Sequence, residues 1–218
     1  MSEEPWPSGP HPAGEVTPDA RTLRGLAHPL RVKLLGLLRA EGPATATRLA
    51  ERTGVSSASA SYHVRQLAAY GFVEPDPRPG GGRERWWRAA HQTTRMRTER
   101  FADGESAALA GAYLQSVADY YAEQTRAAVG ETHLLPAAWR DASTTSDFAL
   151  RLTAGELSDL VRELFEVIGR YRRADPPGTA AEDPDPATAP VVVQLQAFPR
   201  PGALTQPEGG HPAPHRPE

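Results

Sequence analysis

Residues 45–73 read TATRLAERTGVSSASASYHVRQLAAYGFV, and this stretch decides the fold. Thr45 and Ser56 carry hydroxyls that cap helix N-termini, so they predict helices over about residues 46–52 and 57–70. Gly54 lies between the two helices, and Gly71 follows the second one, where glycine commonly ends a helix. A short helix, a tight turn and a longer helix are the pattern of a helix-turn-helix.

Two helices are predicted before this stretch and a hairpin after it. Residues 17–19 read Thr-Pro-Asp and predict a helix that Thr17 caps and that runs to about residue 27. His28-Pro29 breaks that helix and begins a second one, whose leucines recur on one face. Residues 72–74 and 85–88 are two short strand-like runs around a loop rich in proline and glycine. The sequence therefore predicts a winged helix-turn-helix domain.

Four stretches of the sequence match the motifs of a known family in their order and spacing: LAHPLRVKLLGLL at 26–38, LAERTGVS at 49–56, SYHVRQL at 61–67 and GFV at 71–73. They resemble the ArsR-type winged helix-turn-helix transcriptional regulators. The resemblance implies a homodimer whose fourth helix enters the major groove of double-stranded DNA while the wing follows an adjacent groove or the backbone. The chain departs from the metal-sensing members of that family, because it has no cysteine and no histidine accompanies Asp119 and Glu123 on their helix. We therefore predict no metal and no cofactor.

The charge is divided unevenly along the 218 residues. Residues 21–100 carry 15 basic and six acidic groups, net +9, whereas residues 1–20 and 101–218 are net −4 and −8. A basic block of domain size is the electrostatic footprint of a nucleic-acid partner. The alternative is a solvated arginine-rich surface, since Lys33 is the only lysine.

Several classes of protein are excluded by what the sequence lacks. The absence of cysteine excludes disulfides, thiolate metal sites and a cysteine nucleophile. No phosphate-binding loop, zinc-protease pair or nucleophile elbow occurs, so we predict no catalytic residue and no enzyme. The N-terminus lacks the order of a signal peptide and no apolar run reaches 18 residues, so we expect a cytoplasmic protein without a membrane partner.

The candidate DNA-binding residues follow from the helical period of 100° per residue. Ala60, Val64 and Leu67 fall on one side of the fourth helix and are predicted to face the core. Arg65 suits guanine or phosphate, a glutamine suits adenine, and the serines are either contacts or helix caps. The candidates on the fourth helix and around the wing are Ser57, Ser59, Tyr62, His63, Arg65, Gln66, Arg78, Arg83 and Arg85. His63 matches a family histidine near the DNA backbone, or is a packed histidine. Of Trp86 and Trp87, one ring is expected in the core and the other over the hairpin.

The fold class predicted is mainly α with small β, a winged helix-turn-helix domain followed by a helical dimerisation region and a small strand-helix-strand module. The long helix, about residues 103–128, carries one apolar stripe, which we assign to dimerisation: Leu109, Tyr113, Val117 and Tyr120. Residues 147–152 and 191–198 are predicted strands around a helix that Thr153 and Glu156 begin as a capping box. The predicted divisions are disordered tails at 1–16 and 200–218, the DNA-binding domain at 17–97, and the second module at 98–199 with a disordered linker at 174–190.

The function predicted is a sequence-specific transcriptional regulator, a repressor, that binds an inverted-repeat operator as a homodimer. One alternative keeps the winged helix as a protein-interaction module without DNA. Another adds a small-molecule effector in the strand-helix-strand module. Its pocket would be lined by aromatic residues that could equally be ordinary core: Tyr120, Tyr121, Trp139, Phe148 and Phe165.

Overall fold

The computed structural model describes residues 15–77, 85–94, 96, 101, 104–171 and 188–204. The first half contains β1 (Glu15–Val16), α1 (Ala20–Leu23), α2 (Pro29–Ala40), β2 (Ala44–Thr45), α3 (Ala46–Thr53), α4 (Ser57–Ala69), β3 (Val73–Pro75), β4 (Trp86–Ala89) and β5 (Thr93–Thr94). The second half contains α5 (Gly104–Glu131), a 3₁₀ turn (Thr132–Leu134), α6 (Ala137–Ala142) and α7 (Ala154–Gly169). The fold is mainly helical with a small antiparallel sheet, as predicted.

The helix starts follow the capping chemistry of the sequence. The Oγ1 of Thr45 accepts from the Arg48 amide at 3.3 Å and begins α3, and the Oγ of Ser56 accepts from the Ser59 amide at 3.2 Å and begins α4. The Nδ1 of His28 accepts from the Leu30 amide and begins α2. All three helices start where the sequence predicts.

The first helix differs from its prediction at both ends. Asp19, and not Thr17, is the N-cap, because its carboxylate accepts from the Thr22 amide and hydroxyl while that hydroxyl accepts from the Asp19 amide. This reciprocal pair closes a capping box two residues later than expected. The helix also ends at Leu23, four residues before the predicted end.

Two small sheets are present in the described residues. β2, β4 and β3 form an antiparallel sheet in the order β2-β4-β3, with Ala44 opposite Trp87 and Glu74 opposite Arg88. β1 pairs in parallel with β5, which the sequence did not predict. The hairpin of β3 and β4 is the wing, and β2 ties it to the start of α3.

One hydrophobic core joins the winged domain to α5. Its buried members come from α1 to α4 and the sheet, and they include Leu34, Leu38, Leu49, Leu67 and Phe72. α5 adds buried residues to the same core at Ala110 and Tyr113, and packs on α2. The winged domain and the long helix are therefore one packed body.

The apolar stripe of α5 lies inside this body. The Tyr113 side chain is 7% exposed, and Leu109, Val117 and Tyr120 are packed against the same core. The winged domain of the same chain therefore packs against all four residues, and their assignment to dimerisation stays a prediction. Glu105 and Glu123 flank the stripe and form ion pairs with Arg24, just after α1, and with Lys33 of α2.

Arg39 of α2 binds the segment that follows the wing. Its Nε donates to the carbonyl oxygen of His91, just after β4, at 2.8 Å. Its Nη2 donates to the hydroxyl of Thr94, in β5, at 2.9 Å. Burial lowers the pKa of Arg39, and Tyr113 of α5 lies close enough to oppose that shift. Burial also raises the pKa of Tyr113 to about 12.

The predicted strands of the C-terminal module are absent from the described residues. Residues 147–152 and 191–198 have no regular secondary structure, although α7 between them begins with the predicted capping box of Thr153 and Glu156. Alternation of apolar residues favours a strand only when a neighbouring strand completes the hydrogen-bond ladder. No backbone ladder joins these two segments to any described residue of the chain.

Candidate nucleic-acid interface

α3, the turn at Gly54 and α4 form a helix-turn-helix whose inner face is closed. Gly54 ends α3 with φ of 71°, a left-handed conformation that suits glycine. Ala60, Val64 and Leu67 of α4 are all fully buried, as the helical period predicts. The opposite face of α4 is thereby fixed outward.

That outward face carries the polar side chains predicted to contact DNA. Ser57, Tyr62 and Arg65 are exposed, with Tyr62 at 58%, whereas Gln66 is half-buried. The Arg65 guanidinium donates from Nη2 to the Ser61 hydroxyl one turn earlier, at 2.8 Å. This bond holds the guanidinium along the helix surface, and a guanidinium has four further N–H donors for an acceptor outside the chain.

His63 is placed differently from the other predicted residues. It is half-buried, and its ring lies 4.4 Å from the His28 ring and 5.1 Å from the Tyr62 ring, centroid to centroid. The Nδ1 of His63 and the Nε of Arg31 are buried, and neither has a hydrogen-bond partner among the described residues. Burial lowers the pKa of both histidines, and Arg31 adds to the shift by its charge.

The wing presents arginine beside tryptophan. Trp87 is buried and Trp86 is half-buried, so the two rings divide between the core and the surface as expected for adjacent strand residues. The Arg85 guanidinium lies 5.1 Å from the Trp87 ring centroid, and that of Arg48 lies 4.9 Å from the Trp86 centroid. Such cation–π contacts orient a guanidinium and leave its edge donors available. Arg78 and Arg83, also predicted for the wing, lie outside the described residues.

Two further residues near this surface are not among the candidates predicted from the sequence. Arg31 of α2 reaches the histidine pair beside α4, and Arg48 of α3 covers the outer tryptophan of the wing. The signal for Arg31 is its position three residues after His28 at the start of α2, because residues i and i+3 share a helix face. Arg48 could not be placed from the sequence, because its contact depends on how β2 joins the wing to α3.

Residues 26–76 match a protein-family model described as a helix-turn-helix domain. The match spans α2, α3, α4 and β3. The predicted helix-turn-helix is confirmed over these residues, which contain the stretches that resemble ArsR-type winged helix-turn-helix regulators. No curated protein matches the chain.

Three solved structures are similar to part of this chain. A solution structure of the homodimeric winged helix-turn-helix DNA-binding domain of Mb0332 from Mycobacterium bovis, a possible ArsR-family transcriptional regulator, is 28% identical and covers 46% of this chain and 77% of that one, with a TM-score of 0.30. A crystal structure of a possible transcriptional regulatory protein (fragment 1-100) from Mycobacterium bovis is 28% identical, covers 46% and 89%, and has a TM-score of 0.30. Apo MarR from E. coli is 19% identical, covers 68% and 89%, and has a TM-score of 0.28.

The described part of the chain offers little for other kinds of site. Within the described ranges, no group of three or more histidine, aspartate or glutamate side chains is arranged to hold a metal ion. None of the described helices is both long and apolar enough to cross a membrane. A shallow hollow between α7 and residues 195–197 is lined by Phe165, and the other four aromatics predicted for an effector pocket do not line this hollow.

Proposed function

We propose that this protein is a transcriptional repressor that binds an inverted-repeat operator as a homodimer. The outward face of α4 carries this proposal, because Tyr62 and Arg65 are exposed on a helix whose opposite face is fully buried. A helix held in this way can enter the major groove, where arginine binds guanine O6 and N7. Two copies are needed because one short helix reads too few base pairs for strong specificity.

The residues divide by role within this proposal. Ser57, Ser59, Tyr62 and Arg65 lie nearest the bases, and Gln66 lies nearer the backbone because it follows them along the helix. Arg78, Arg83 and Arg85 supply the wing with phosphate or minor-groove contacts. His63 belongs to a packed histidine pair, so we assign it to orienting Tyr62 beside it.

The first experiment measures binding of the full chain to duplex DNA at several salt concentrations. If a dimer neutralises about six phosphates, log affinity should fall against log salt with a slope of about −5. A slope near zero would reject DNA binding and leave the alternative of a winged-helix module that binds a protein.

A second experiment assigns Arg65, with selection from random duplexes for each variant. Arg65→Ala should weaken binding by about 1 to 3 kcal/mol and relax the preference at one base position. Arg126→Ala is the matched control, because Arg126 is an exposed arginine on α5. An unchanged selected sequence with weaker binding would assign Arg65 to phosphate.

An effector-binding role is the second candidate function. The hollow beside Phe165 is the observation that favours it, since its lining includes Leu157, Val161 and Leu195. An apolar compound bound there would loosen or tighten operator binding at constant salt. A screen of apolar compounds by thermal shift, followed by operator titration, tests this role.

A further inference from the structure

The C-terminal unit, defined as residues 143–171 and 188–204, has no core of its own among the described residues. Every described hydrophobic residue that is buried lies between Leu23 and Tyr113. Of the exposed large hydrophobic side chains, four lie before residue 146 and twelve lie after it. A unit with this distribution does not offset the entropy of ordering by itself, and needs a surface to cover it.

The unit is nevertheless held on α5 by a specific polar contact. The Gln194 amide nitrogen donates to the Tyr121 carbonyl and to the Gln124 side chain, and its oxygen accepts from the Thr125 hydroxyl at 3.0 Å. Leu195 and α7 line one hollow together, so the segment that carries this contact also lies beside α7. The unit therefore has a defined place on the C-terminal half of α5, while its apolar side chains stay open.

We propose that a second copy of this chain covers the C-terminal unit, so that the two units pair about a two-fold axis. This inference rests on the proposed homodimer, and it places the dimer interface here instead of at the α5 stripe. That stripe is already packed against the core of its own chain.

The exposed area is what a stable dimer needs. Six side chains are between 48% and 83% exposed: Phe148, Leu150, Phe165, Val191, Val193 and Phe198. The three phenylalanines alone expose roughly 300 to 500 Å², because a fully exposed aromatic side chain presents about 150 to 250 Å², and the leucine and two valines add to this area. A typical stable interface buries about 800 Å² on each partner, so these side chains supply a large part of the area that a dimer needs.

Charge and backbone both favour an identical copy as the occupant. Residues 190–199 contain no charged residue, although residues 101–218 as a whole are net −8. Two copies can therefore meet along this segment without like charges opposed, which an isologous interface requires because each surface faces itself. The alternating residues 147–152 and 191–198 also lack ladder partners in the described chain, and the same segments of a second copy supply them.

The first test is the mass of the full chain in solution at micromolar concentration. Light scattering should give about 47 kDa, twice the 23.5 kDa of one chain. Val193→Asp with Phe198→Asp should reduce the mass to one chain, because an unpaired carboxylate at an apolar interface is strongly unfavourable. Leu134→Asp is the matched control, since Leu134 is 70% exposed outside the unit, and its mass should stay at two chains. A wild-type monomer, or a double variant that stays dimeric, would overturn the inference.

Single-cysteine variants give a second readout that does not depend on a disruptive substitution. The chain has no natural cysteine, so Val191→Cys and Val193→Cys each introduce one thiol. A two-fold axis through this unit should bring equal positions together, and mild oxidation should give a covalent dimer from at least one variant. Leu134→Cys should give no covalent dimer under the same oxidation. If neither variant cross-links more than this control, the interface lies elsewhere.

Operator binding separates this inference from the proposed function. A monomeric wild-type chain that binds duplex DNA with the expected salt slope would overturn the interface and leave DNA binding in place. A dimer that cross-links through the unit but shows no salt-dependent binding to any duplex would retain the interface and reject the proposed function.

Discussion

Gly36→Ala tests whether the α5 stripe is covered within its own chain. A Cβ at Gly36 would lie 2.6 Å from Cζ and Oη of Tyr120 and 2.7 Å from its Cε1. Carbon atoms normally pack at about 3.5 to 4.0 Å, so the ring would have to retreat by about 1 Å. The ring is partly buried and its hydroxyl accepts a hydrogen bond from Gln124, so it is not free to swing away.

The expected sign comes from two opposing terms. Alanine in a helix interior is more favourable than glycine by about 1 kcal/mol. Overpacking a filled contact costs about 1 to 3 kcal/mol. Gly36→Ala should therefore change the free energy of unfolding by about 0 to 2 kcal/mol in the destabilising direction. In a Tyr120→Ala background the ring is gone, and the same substitution should stabilise by about 1 kcal/mol.

The wild type, the two single variants and the double variant form a double-mutant cycle. Their free energies of unfolding are measured by urea unfolding, followed by circular dichroism at one fixed protein concentration. The coupling energy between positions 36 and 120 should be about 1 to 3 kcal/mol. Gly111→Ala is the matched control on the exposed side of α5, where an added Cβ meets no atom within 4 Å, and it should stabilise by about 1 kcal/mol. If Gly36→Ala stabilises as much as this control, Tyr120 does not cover Gly36, and the stripe is free to pair with a second chain.

Two further predictions concern partly buried polar side chains. Burial lowers the pKa of His28 and His63 below the unfolded value of about 6.5, so below that pH the unfolded chain binds more protons than the folded chain. The free energy of unfolding should therefore be highest above about pH 6.5 and fall as the pH drops, and His63→Gln should reduce that fall in urea titrations between about pH 7.5 and 5. Arg39→Lys should destabilise by about 1 to 3 kcal/mol in the same assay, because a single ammonium cannot reach both oxygens to which the guanidinium donates, whereas Arg126→Lys should stay within about 0.5 kcal/mol of the wild type.

The helix-turn-helix is predictable because its signals are local. The hydroxyls of Thr45 and Ser56 cap helices where they precede an apolar period, and both helix starts are confirmed. The inner face of α4 follows from the period alone. The predicted start of α1 is wrong because two capping residues, Thr17 and Asp19, compete there. The hydrogen bonds between Asp19 and Thr22, which select Asp19, are not evident from the sequence.

The position of α5 could not be predicted from its own sequence. An apolar stripe shows that a helix face is buried, but the same stripe suits a second chain or the helix's own domain. The packing of α5 on α2 depends on Gly36, because a side chain at that position would occupy the space of the Tyr120 ring. The prediction of C-terminal strands failed for a related reason, since alternation describes one strand and says nothing of the partner that must complete its ladder.

The net charge of residues 21–100 overstates the positive charge that is open to a nucleic acid. Two cations of the +9 block, Arg24 and Lys33, form ion pairs with Glu105 and Glu123 of α5, which lie outside the block. Counting these two acids with residues 21–100 lowers the net charge from +9 to +7. Arg88 of the wing is paired with Glu74, but the described ion pairs do not include Arg65 or Arg85, so these two cations, on the α4 face and the wing, are left open to a polyanion. A salt slope of about −5 therefore measures phosphates neutralised by that face. Replacing Arg65 and Arg85 together with alanine should make the slope shallower by about 0.9 for each phosphate that the dimer no longer neutralises, and an unchanged slope would place the DNA on another surface.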